Sequence, residues 1–508
     1  MKKRVVRTLS RRDFLKLTGT GMAGAALLAA AGCDLAERVP GLPGTTPRNR
    51  DGTNVVLVII DSLRKDHIGA YGGDRAVQTP NLDALARDSL IFTRAHPESM
   101  PTINARRAIH SGTRTWPFTD WDPPQGEDII LQGWQPIPRE QTTLAEVMQA
   151  NGYGTFFVTD NMHQFKASYN MHRGFDAYDF IRGQTTDNYM PNWTYPPEKV
   201  DQALMTGNVP AMTAQMKQYF SNVAARQTEE DWFAPQVFTR ASETLEAVSE
   251  TGSPFFLTVD SYDPHEPWDP PEEYLKMYDD EPYDLKEPFS VIYGPSDYLA
   301  DRELERMRAR YSAEVTMTDR WLGRFMDKME ELNLFENTLL LLVSDHGVAL
   351  GEHGYTGKPA YVLWPEITDV PFFIRHPDGK GAGETSDYIA STHDVASTVL
   401  GYLGIEPPGQ MTGQDLSVIP DDGEPEDDRS HFTAGYHDHV WTRDDRYVMF
   451  CRHDGAEAKL YDIQADPEMN NDIAGQNPDI VKRMFDGYIL RDAGGPLPVY
   501  DPLPEPTV

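Results

Sequence analysis

Two stretches of the chain, far apart in sequence, place metal-binding side chains directly after an apolar run. Asp61 follows residues 55–60, and the run that begins at Asn337 ends in Asp345 and His346. Carboxylates suit hard cations, and imidazole also suits transition metals. A single Asp after one strand more often caps the next helix. Because the pattern occurs twice, we favour a metal site assembled from two strands.

Both runs have the composition of buried parallel strands. Residues 55–60 are all apolar and mostly β-branched, which is typical of a strand covered on both faces. In open α/β sheets, ligands bind beyond the carboxyl ends of the strands. Further strands are predicted at 155–158, 255–259 and 370–374, and a loop is predicted at 97–107. Helices are predicted to start at Pro80, Thr143 and His393 and to extend over 238–248 and 304–334. This order predicts an α/β fold with a large, mostly parallel sheet flanked by helices.

Composition divides the mature chain into a large and a small unit. Residues 52–420 are predicted to be the catalytic domain. Within this domain, residues 183–253 are predicted to be an insertion that could cover a binding site. Residues 421–429 form an acidic linker, 430–492 a C-terminal subdomain, and 493–508 a tail. Strands at 446–451 and 460–463 and a helix at 479–489 predict that this subdomain is a small α+β lobe.

The first 33 residues are predicted to be an export signal. Ser10 to Lys16 has the form of a twin-arginine signal, and the apolar residues 22–31 are too short to span a membrane. Residues 30–33 resemble a lipoprotein processing site, so we expect lipidation of Cys33 rather than plain cleavage nearby. Residues 34–51 are rich in Pro and Gly and are predicted to be a tether. The expected location is extracytoplasmic, on a membrane only through the lipid at Cys33.

The formal net charge of -33 is spread along the chain rather than confined to one tail. Such a charge opposes binding to nucleic acid and to anionic membranes. An acidic surface also keeps proteins hydrated at high salt, so we expect a halophilic source. If the substrate is an anion, the site must supply positive charge locally.

The motifs, taken together in their order, resemble the sulfatases within the alkaline phosphatase superfamily. The similarity extends over residues 54–474. It implies an alkaline-phosphatase-like fold and an enzyme that hydrolyses ester bonds. The motifs are Asp61 with L-R-x-D-H-x-G-x-Y-G at 63–72, T-P-N-L-D at 79–83, D-P-H-E-P at 263–267, D-H-G at 345–347, G-E-H-G at 351–354 with Lys358, and L-Y-D-x-x-x-D-P-E-x-N at 460–470.

The resemblance implies one divalent metal ion, bound by Asp61, Asp345 and His346. Calcium is the usual metal ion of the family, while the imidazole of His346 also permits manganese or zinc. Ser62 stands where the family carries a second acidic ligand, so one ligand is missing or weaker.

The resemblance also implies the residues that bind the ester. His265 and His163 match substrate-binding histidines, although Asn161 replaces the Lys that normally accompanies the latter. Lys358 matches a Lys that binds the oxygens of the ester. His353 and His393 match motifs that brace the fold.

The nucleophile position departs from the family. Counting back from Ser111 without a gap places Thr102 where sulfatases carry the Cys or Ser that becomes formylglycine, and Arg106 matches the Arg of that motif. Ser99 is the other candidate if the alignment contains a gap. Thr is not a substrate for that conversion. Thr102 would instead be a fourth metal ligand and would attack the ester in line as an alkoxide. This mechanism favours phosphate esters over sulfate esters as substrates.

We therefore predict a metal-dependent hydrolase of sulfate or phosphate esters, whose substrate is an anionic small molecule or glycan ester. Arg106, Lys358 and the imidazoles would bind the equatorial oxygens, and His265 or His163 would protonate the leaving oxygen. Two alternatives stay open. One is a phosphoryl-group transferase of the same superfamily, and the other is a pseudoenzyme that binds glycans without cleaving them, in which Thr102 is an ordinary loop residue.

Overall fold

A computed structural model of the protein describes residues 52–72, 77–122, 129–166, 169–204, 209–421 and 423–500. The predicted export signal, Cys33, the tether up to residue 51 and the last eight residues lie outside the described residues. Across the described ranges, no helix combines the length and the apolar character needed to cross a membrane.

The strands are named here in chain order. They are β1 Asn54–Ile60, β2 Leu90–His96, β3 Ser99–Met100, β4 Gly154–Thr159, β5 Ala177–Phe180, β6 Phe255–Ser261, β7 Gly294–Pro295, β8 Thr338–Ser344, β9 Ala349–Leu350, β10 Tyr355–Gly357, β11 Phe372–Arg375, β12 Thr385–Ser391, β13 Phe432–Tyr436, β14 His439–Arg443, β15 Tyr447–Arg452 and β16 Lys459–Asp462.

The α-helices are named in the same way. They are α1 Pro80–Arg87, α2 Thr102–Ser111, α3 Leu144–Ala150, α4 Pro197–Gln202, α5 Pro210–Val223, α6 Phe233–Ser249, α7 Glu272–Leu275, α8 Asp301–Glu331, α9 Pro365–Thr368, α10 Asp394–Leu403, α11 Pro478–Met484 and α12 Leu490–Asp492.

The large sheet has eight strands in the order β12-β2-β11-β8-β1-β6-β4-β5. Strand β11 runs antiparallel to β2 and β8, and the other neighbouring pairs are parallel. The predicted large, mostly parallel sheet is therefore confirmed. Ile60 at the end of β1 pairs with Ser261 and with Ser344. The three central strands thus end at the same edge, where the following residues meet.

Helices cover both faces of this sheet. The alternating side chains of β1 enter two cores, one with α1, α6 and α8 and the other with α3 and α10. The helix predicted over 304–334 corresponds to α8, whose buried side chains include Tyr311, Leu322 and Phe325. Helix α6 packs in the same layer through Phe238 and Leu245, so this part of the predicted insertion belongs to the core of the domain.

The C-terminal lobe is built on a five-stranded sheet in the order β16-β15-β14-β13-β3, which confirms the predicted lobe. Its last strand, β3, comes from the catalytic domain and pairs in parallel with β13. Strand β3 ends two residues before Thr102. The lobe is therefore joined to the segment that carries the predicted nucleophile.

The predicted loop at 97–107 is wrong over its second half, because α2 begins at Thr102. All ten residues of α2 are buried. Gly112 ends the helix with φ +60°, and its backbone N–H donates a hydrogen bond to Ala108 O. A helix buried on every side shows no contrast between an apolar and a polar face. Polar residues such as Arg106, Arg107 and His110 are buried along with the apolar ones, which concealed the helix in the sequence.

Candidate active site

Thr102 lies at the first position of α2, at the edge where β1, β6 and β8 end. Its side chain is buried, and its Oγ1 lies 3.3 Å from His346 Nε2. The amino-terminal end of a helix carries partial positive charge and free amide donors. This position therefore favours an alkoxide or a bound anion. Ser99, the alternative nucleophile, is engaged elsewhere, because its Oγ lies 2.5 Å from Thr115 Oγ1.

The predicted metal ligands come together as a compact cluster. Asp61, Asp345 and His346 each offer an atom, and these atoms lie within 4.8 Å of one another. All three side chains are fully buried. His346 Nδ1 lies 3.0 Å from Gly347 O and can donate to it, which leaves Nε2 as the lone-pair nitrogen facing Thr102.

Protonation and hydrogen bonding in this cluster suit a cation. Asp61 Oδ2 is buried and accepts no well-aligned hydrogen bond. Burial and the neighbouring Asp345 carboxylate raise the pKa of Asp61 well above its usual value, because the negative charges of this pair are poorly compensated without a cation, which a metal ion would supply. Burial lowers the pKa of His346 to about 4, so the imidazole is neutral, as metal binding requires. The donor set therefore fits one divalent metal ion.

Ser62, where the family has a second acidic ligand, supports the cluster through hydrogen bonds. Its amide donates to Asp345 Oδ1 at 3.0 Å, and its Oγ donates to Asp61 Oδ1 at 2.8 Å. Its φ of +57° lies in the left-handed region, which side chains adopt at a cost. Ser62 thus anchors two of the predicted metal ligands.

Arg106 lies one turn along α2 and is surrounded by three carboxylates. Its Nη1 contacts Asp345 Oδ2 and lies 3.0 Å from Asp61 Oδ2. On its other side, Nε and Nη2 donate to the two oxygens of Asp260 at 2.9 and 2.8 Å. The guanidinium therefore fixes the predicted metal ligands relative to β6.

Asp260 belongs to the candidate site but is not among the residues predicted from the sequence. It is fully buried on β6 and also accepts a 2.8 Å hydrogen bond from Gln164 Nε2. A charged residue inside an otherwise apolar strand was the available signal, because Asp is almost never fully buried unless it is paired.

Lys358 and His265 form a second group at the site. Lys358 Nζ lies 2.8 Å from His265 Nε2, and Tyr262 OH lies 3.1 Å from the same nitrogen. His265 Nδ1 is directed to Glu266 O at 2.8 Å. Burial and the Lys358 charge lower the pKa of His265 well below its usual value. His265 is therefore neutral, and with Nδ1 donating to Glu266 O its Nε2 can accept a hydrogen bond from Lys358 Nζ.

His163 lies at the border of this group. It follows β4, and its ring is 6.1 Å from the ring of Tyr262, which in turn stacks on His265 at 4.2 Å. Trp134 packs against His163 edge-on at 5.2 Å. Asn161, which replaces the family's Lys, accepts the His163 amide through Oδ1 at 3.0 Å. The motif therefore contributes no second lysine charge here.

The remaining motif histidines lie in bracing positions. His353 stacks on Trp364 with ring centroids 4.4 Å apart, and His393 Nδ1 lies 2.9 Å from Ser391 Oγ. Glu352 Oε1 accepts a 3.0 Å bond from the buried Arg64. None of these contacts involves Thr102 or the cluster around it.

Comparison with known proteins gives a consistent assignment. The family model described as Sulfatase matches residues 53–405, and the one described as N-sulphoglucosamine sulphohydrolase, C-terminal, matches residues 351–487. The Ulvan-active sulfatase of Formosa agariphila is 26% identical over 441 residues, covering 83% of this chain and 77% of that protein. The multifunctional alkaline phosphatase superfamily protein PehA of Trinickia caryophylli is 24% identical over 505 residues, covering 83% of this chain and 91% of that protein.

The fold leads to the same group of proteins. The phosphonate monoester hydrolase of Agrobacterium radiobacter has a TM-score of 0.66 and 20% identity, covering 87% of this chain and 95% of that chain. The family match spans most of the chain, including β1, α2 and β8, which carry the cluster. The chain therefore belongs to the sulfatase family of the alkaline phosphatase superfamily, and it is a hydrolase of ester bonds.

Proposed function

We propose that this protein hydrolyses sulfate or phosphate esters through in-line attack by the hydroxyl of Thr102, with one divalent metal ion in the site. The observation that carries the proposal is the position of Thr102 Oγ1, 3.3 Å from His346 Nε2 and at the amino-terminal end of α2. The hydroxyl therefore lies next to His346, which clusters with the carboxylates of Asp61 and Asp345.

Asp61, Asp345, His346 and Thr102 would hold the ion. Calcium is the metal ion that the family usually binds, and the imidazole of His346 also permits manganese or zinc. When bound, the ion would lower the pKa of the Thr102 hydroxyl and neutralise charge on the transferring group.

Arg106 has a positioning role in this proposal. Its donors are engaged by Asp260, by the Asp61 and Asp345 carboxylates and, at 3.4 Å, by Thr102 O. These contacts hold the first turn of α2 against the ligands, and a contact between Arg106 and the oxygens of the ester stays a prediction.

Lys358 is the better proton donor for the leaving oxygen. His265 is neutral and its Nε2 accepts from Lys358, so the transferable proton resides on Nζ. The Thr102 hydroxyl first gives its proton to water. As the bond from Thr102 Oγ1 to phosphorus or sulfur then forms, the bond to the leaving oxygen breaks, and that oxygen takes a proton from Lys358 Nζ. Water then opens the covalent Thr ester and releases the inorganic anion.

The choice between sulfate and phosphate is made by the nucleophile. A threonine cannot form the aldehyde hydrate that expels sulfate by elimination, whereas hydrolysis of a covalent phosphothreonine within a metal site is ordinary phosphatase chemistry. This favours phosphate esters mildly. The similarity to a phosphonate monoester hydrolase and to sulfatases agrees with either class.

The proposal is tested with Thr102→Ala and Thr102→Ser against aryl sulfate, phosphate monoester and phosphate diester substrates, with metal analysis of the purified protein. We expect Thr102→Ala to abolish turnover and Thr102→Ser to retain part of it. Turnover that survives in Thr102→Ala would refute the nucleophile. Transfer of the group to an added alcohol rather than to water would favour the transferase, and binding without turnover would favour the pseudoenzyme.

We also propose that the chain is exported by the twin-arginine pathway and anchored through a lipid on Cys33, since residues 1–33 carry both motifs. The formal charge of -33 supports a halophilic source. Mass analysis of the mature amino terminus, together with Cys33→Ala, tests the anchor. A mature protein that starts elsewhere and carries no lipid would contradict it.

A further inference from the structure

A cavity of about 230 Å³ lies between α9 of the catalytic domain and strands β14 and β15 of the C-terminal lobe. It is smaller than the roughly 300–1,000 Å³ typical of sites for drug-sized molecules, so it suits a small ligand. None of the residues that line it belongs to the candidate active site. Its lining includes Thr368, Asp369, Trp441, Arg443, Val448 and Met469.

Arg443 lines this cavity without a counter-ion. Within the described ranges of the chain, no carboxylate forms an ion pair with its guanidinium, and its one polar contact is long, with Nη1 3.5 Å from His96 Nε2. Its Nε is buried and has no hydrogen-bond partner. Buried polar groups are normally hydrogen-bonded, and arginine is seldom buried unless it is paired. The unused donors of Arg443 therefore indicate a site for an anion.

Asp369, the carboxylate that lines the same cavity, is already paired. Its Oδ2 accepts a hydrogen bond from Lys65 Nζ at 2.6 Å, and its Oδ1 lies 3.3 Å from His96 Nδ1. Burial lowers the pKa of Arg443, and the attraction of Asp369 does not offset this effect. The positive charge of Arg443 is therefore left without close compensation.

Trp441 supplies a second unused donor on the same wall. It lies two residues before Arg443 on β14, so both side chains project from one face of the sheet. Its Nε1 is buried and has no hydrogen-bond partner. The Trp441 ring packs against the ring of His96 at 4.9 Å, and His96 is also the residue that Arg443 contacts. The indole and the guanidinium are therefore held around one imidazole.

Much of the remaining lining is apolar. Val448 lies opposite Arg443 in the ladder between β14 and β15 and is buried, as is Met469. Ile463 lines the cavity as well. A guanidinium binds a carboxylate through two parallel hydrogen bonds, whereas the apolar wall is stabilised only by apolar groups. A hydrated inorganic anion would use the first feature and not the second.

We propose that this cavity binds a small organic carboxylate with a short apolar body. The carboxylate accepts hydrogen bonds from Arg443 and Trp441, and the body packs on Val448, Ile463 and Met469. The inference goes beyond the proposed function and does not depend on it, because the cavity contains none of the residues assigned to ester cleavage.

The test measures binding to the full chain by titration calorimetry at constant ionic strength. The probes are acetate, isovalerate and benzoate, with isovaleramide as an uncharged analogue and sodium sulfate as an inorganic anion. We expect isovalerate or benzoate to bind more tightly than acetate, and the amide to bind at least roughly 10-fold more weakly than isovalerate. Arg443→Gln should raise the Kd of the carboxylate by roughly 10-fold to 100-fold, and Trp441→Phe by roughly 3-fold to 10-fold.

Arg446→Gln is the matched control. Arg446 lies in the same hairpin, but it pairs with Asp462 at 2.9 Å and its side chain is 57% exposed. Its replacement should leave the Kd within about 2-fold of the wild type. A Kd that is the same in Arg443→Gln and Arg446→Gln, or a wild type that binds none of the three carboxylates, would overturn the inference. Sulfate that binds as tightly as isovalerate, and only when Arg443 is present, would overturn the assignment of an organic ligand.

Thermal unfolding without added ligand gives a second readout. Because a poorly compensated charge costs free energy, Arg443→Met should raise the Tm or leave it unchanged. Isovalerate or benzoate should then raise the Tm of the wild type and not that of Arg443→Met. A fall in the Tm of Arg443→Met well beyond that of Arg446→Gln would show that the guanidinium is already compensated, and this result would also overturn the inference.

Discussion

Replacing Asp260 with Asn tests whether Arg106 is held in place from β6. In the native site, the carboxylate accepts from Nε at 2.9 Å and from Nη2 at 2.8 Å, and both residues are fully buried. An amide presents only one oxygen to these two donors, so one guanidinium nitrogen would face an NH₂ group. The variant therefore loses one charge-assisted hydrogen bond and gains a contact between two donors.

The expected loss of stability depends on the ion pairs that Arg106 keeps in the variant. Removing one partner of a buried ion pair costs about 3–5 kcal/mol when the other charge is left uncompensated. Arg106 keeps its contacts with Asp61 and Asp345, so the guanidinium stays paired. We expect the free energy of unfolding to fall by about 3 kcal/mol, at the lower end of that range. We also expect kcat to fall by roughly 10-fold to 100-fold, because the first turn of α2 loses its anchor.

Asp66→Asn is the matched control. Asp66 pairs with the buried Arg64 in the same two-pronged manner, at 2.9 and 2.6 Å, but its side chain is 41% exposed. Water can therefore compensate the change, and the loss should stay near about 1 kcal/mol or below. Urea denaturation of both variants without added metal, together with initial rates, gives the comparison. If Asp260→Asn were as stable as the wild type, or less affected than Asp66→Asn, the positioning role of Asp260 would be refuted.

Three further predictions concern single residues. Lys358→Ala should lower kcat for esters of alkyl alcohols far more than for nitrophenyl esters, since only the poor leaving group needs a proton; equal losses in a leaving-group series would remove the assignment. Burial lowers the pKa of His393 from 6.5 to about 4. Between these pH values the unfolded chain binds more protons than the folded protein, so the free energy of unfolding falls as the pH drops from 6.5 to about 4. His393→Gln should flatten this slope by up to about 3 kcal/mol between those limits in denaturation series, and an unchanged slope would count against a neutral buried imidazole. Burial raises the pKa of the Cys451 thiol to about 12, so thiol reagents at pH 8 should label it only after unfolding, and rapid labelling of the native protein would contradict this.

The sheet and its ligand-bearing ends could be predicted because they depend on local composition. Strands β1 and β8 are fully buried, and their unbroken apolar runs mark them as central parallel strands. Asp61 and Asp345 follow these runs directly, so the shared edge of the sheet brings them together. Their roles as ligands stay predictions, and so does the role of Thr102, which lies 3.3 Å from His346.

Other features could not be predicted because they depend on contacts between distant segments. Helix α2 has no exposed face, so its sequence lacks the contrast that reveals a helix. Strand β3 has two residues and no pattern of its own, yet it joins the C-terminal lobe to the nucleophile segment. The role of Asp260 follows only from its pairing with Arg106, a residue 154 positions away.

The central claim is that Thr102, Asp61, Asp345 and His346 surround one cation. The most direct measurement is a crystal structure of the protein soaked with manganese, with anomalous scattering used to locate the ion. The account predicts a single peak among these four side chains, with Thr102 Oγ1 about 2–2.6 Å from it. A peak more than about 5 Å from that oxygen, about twice a ligand bond, or no peak between the carboxylates, would contradict the account.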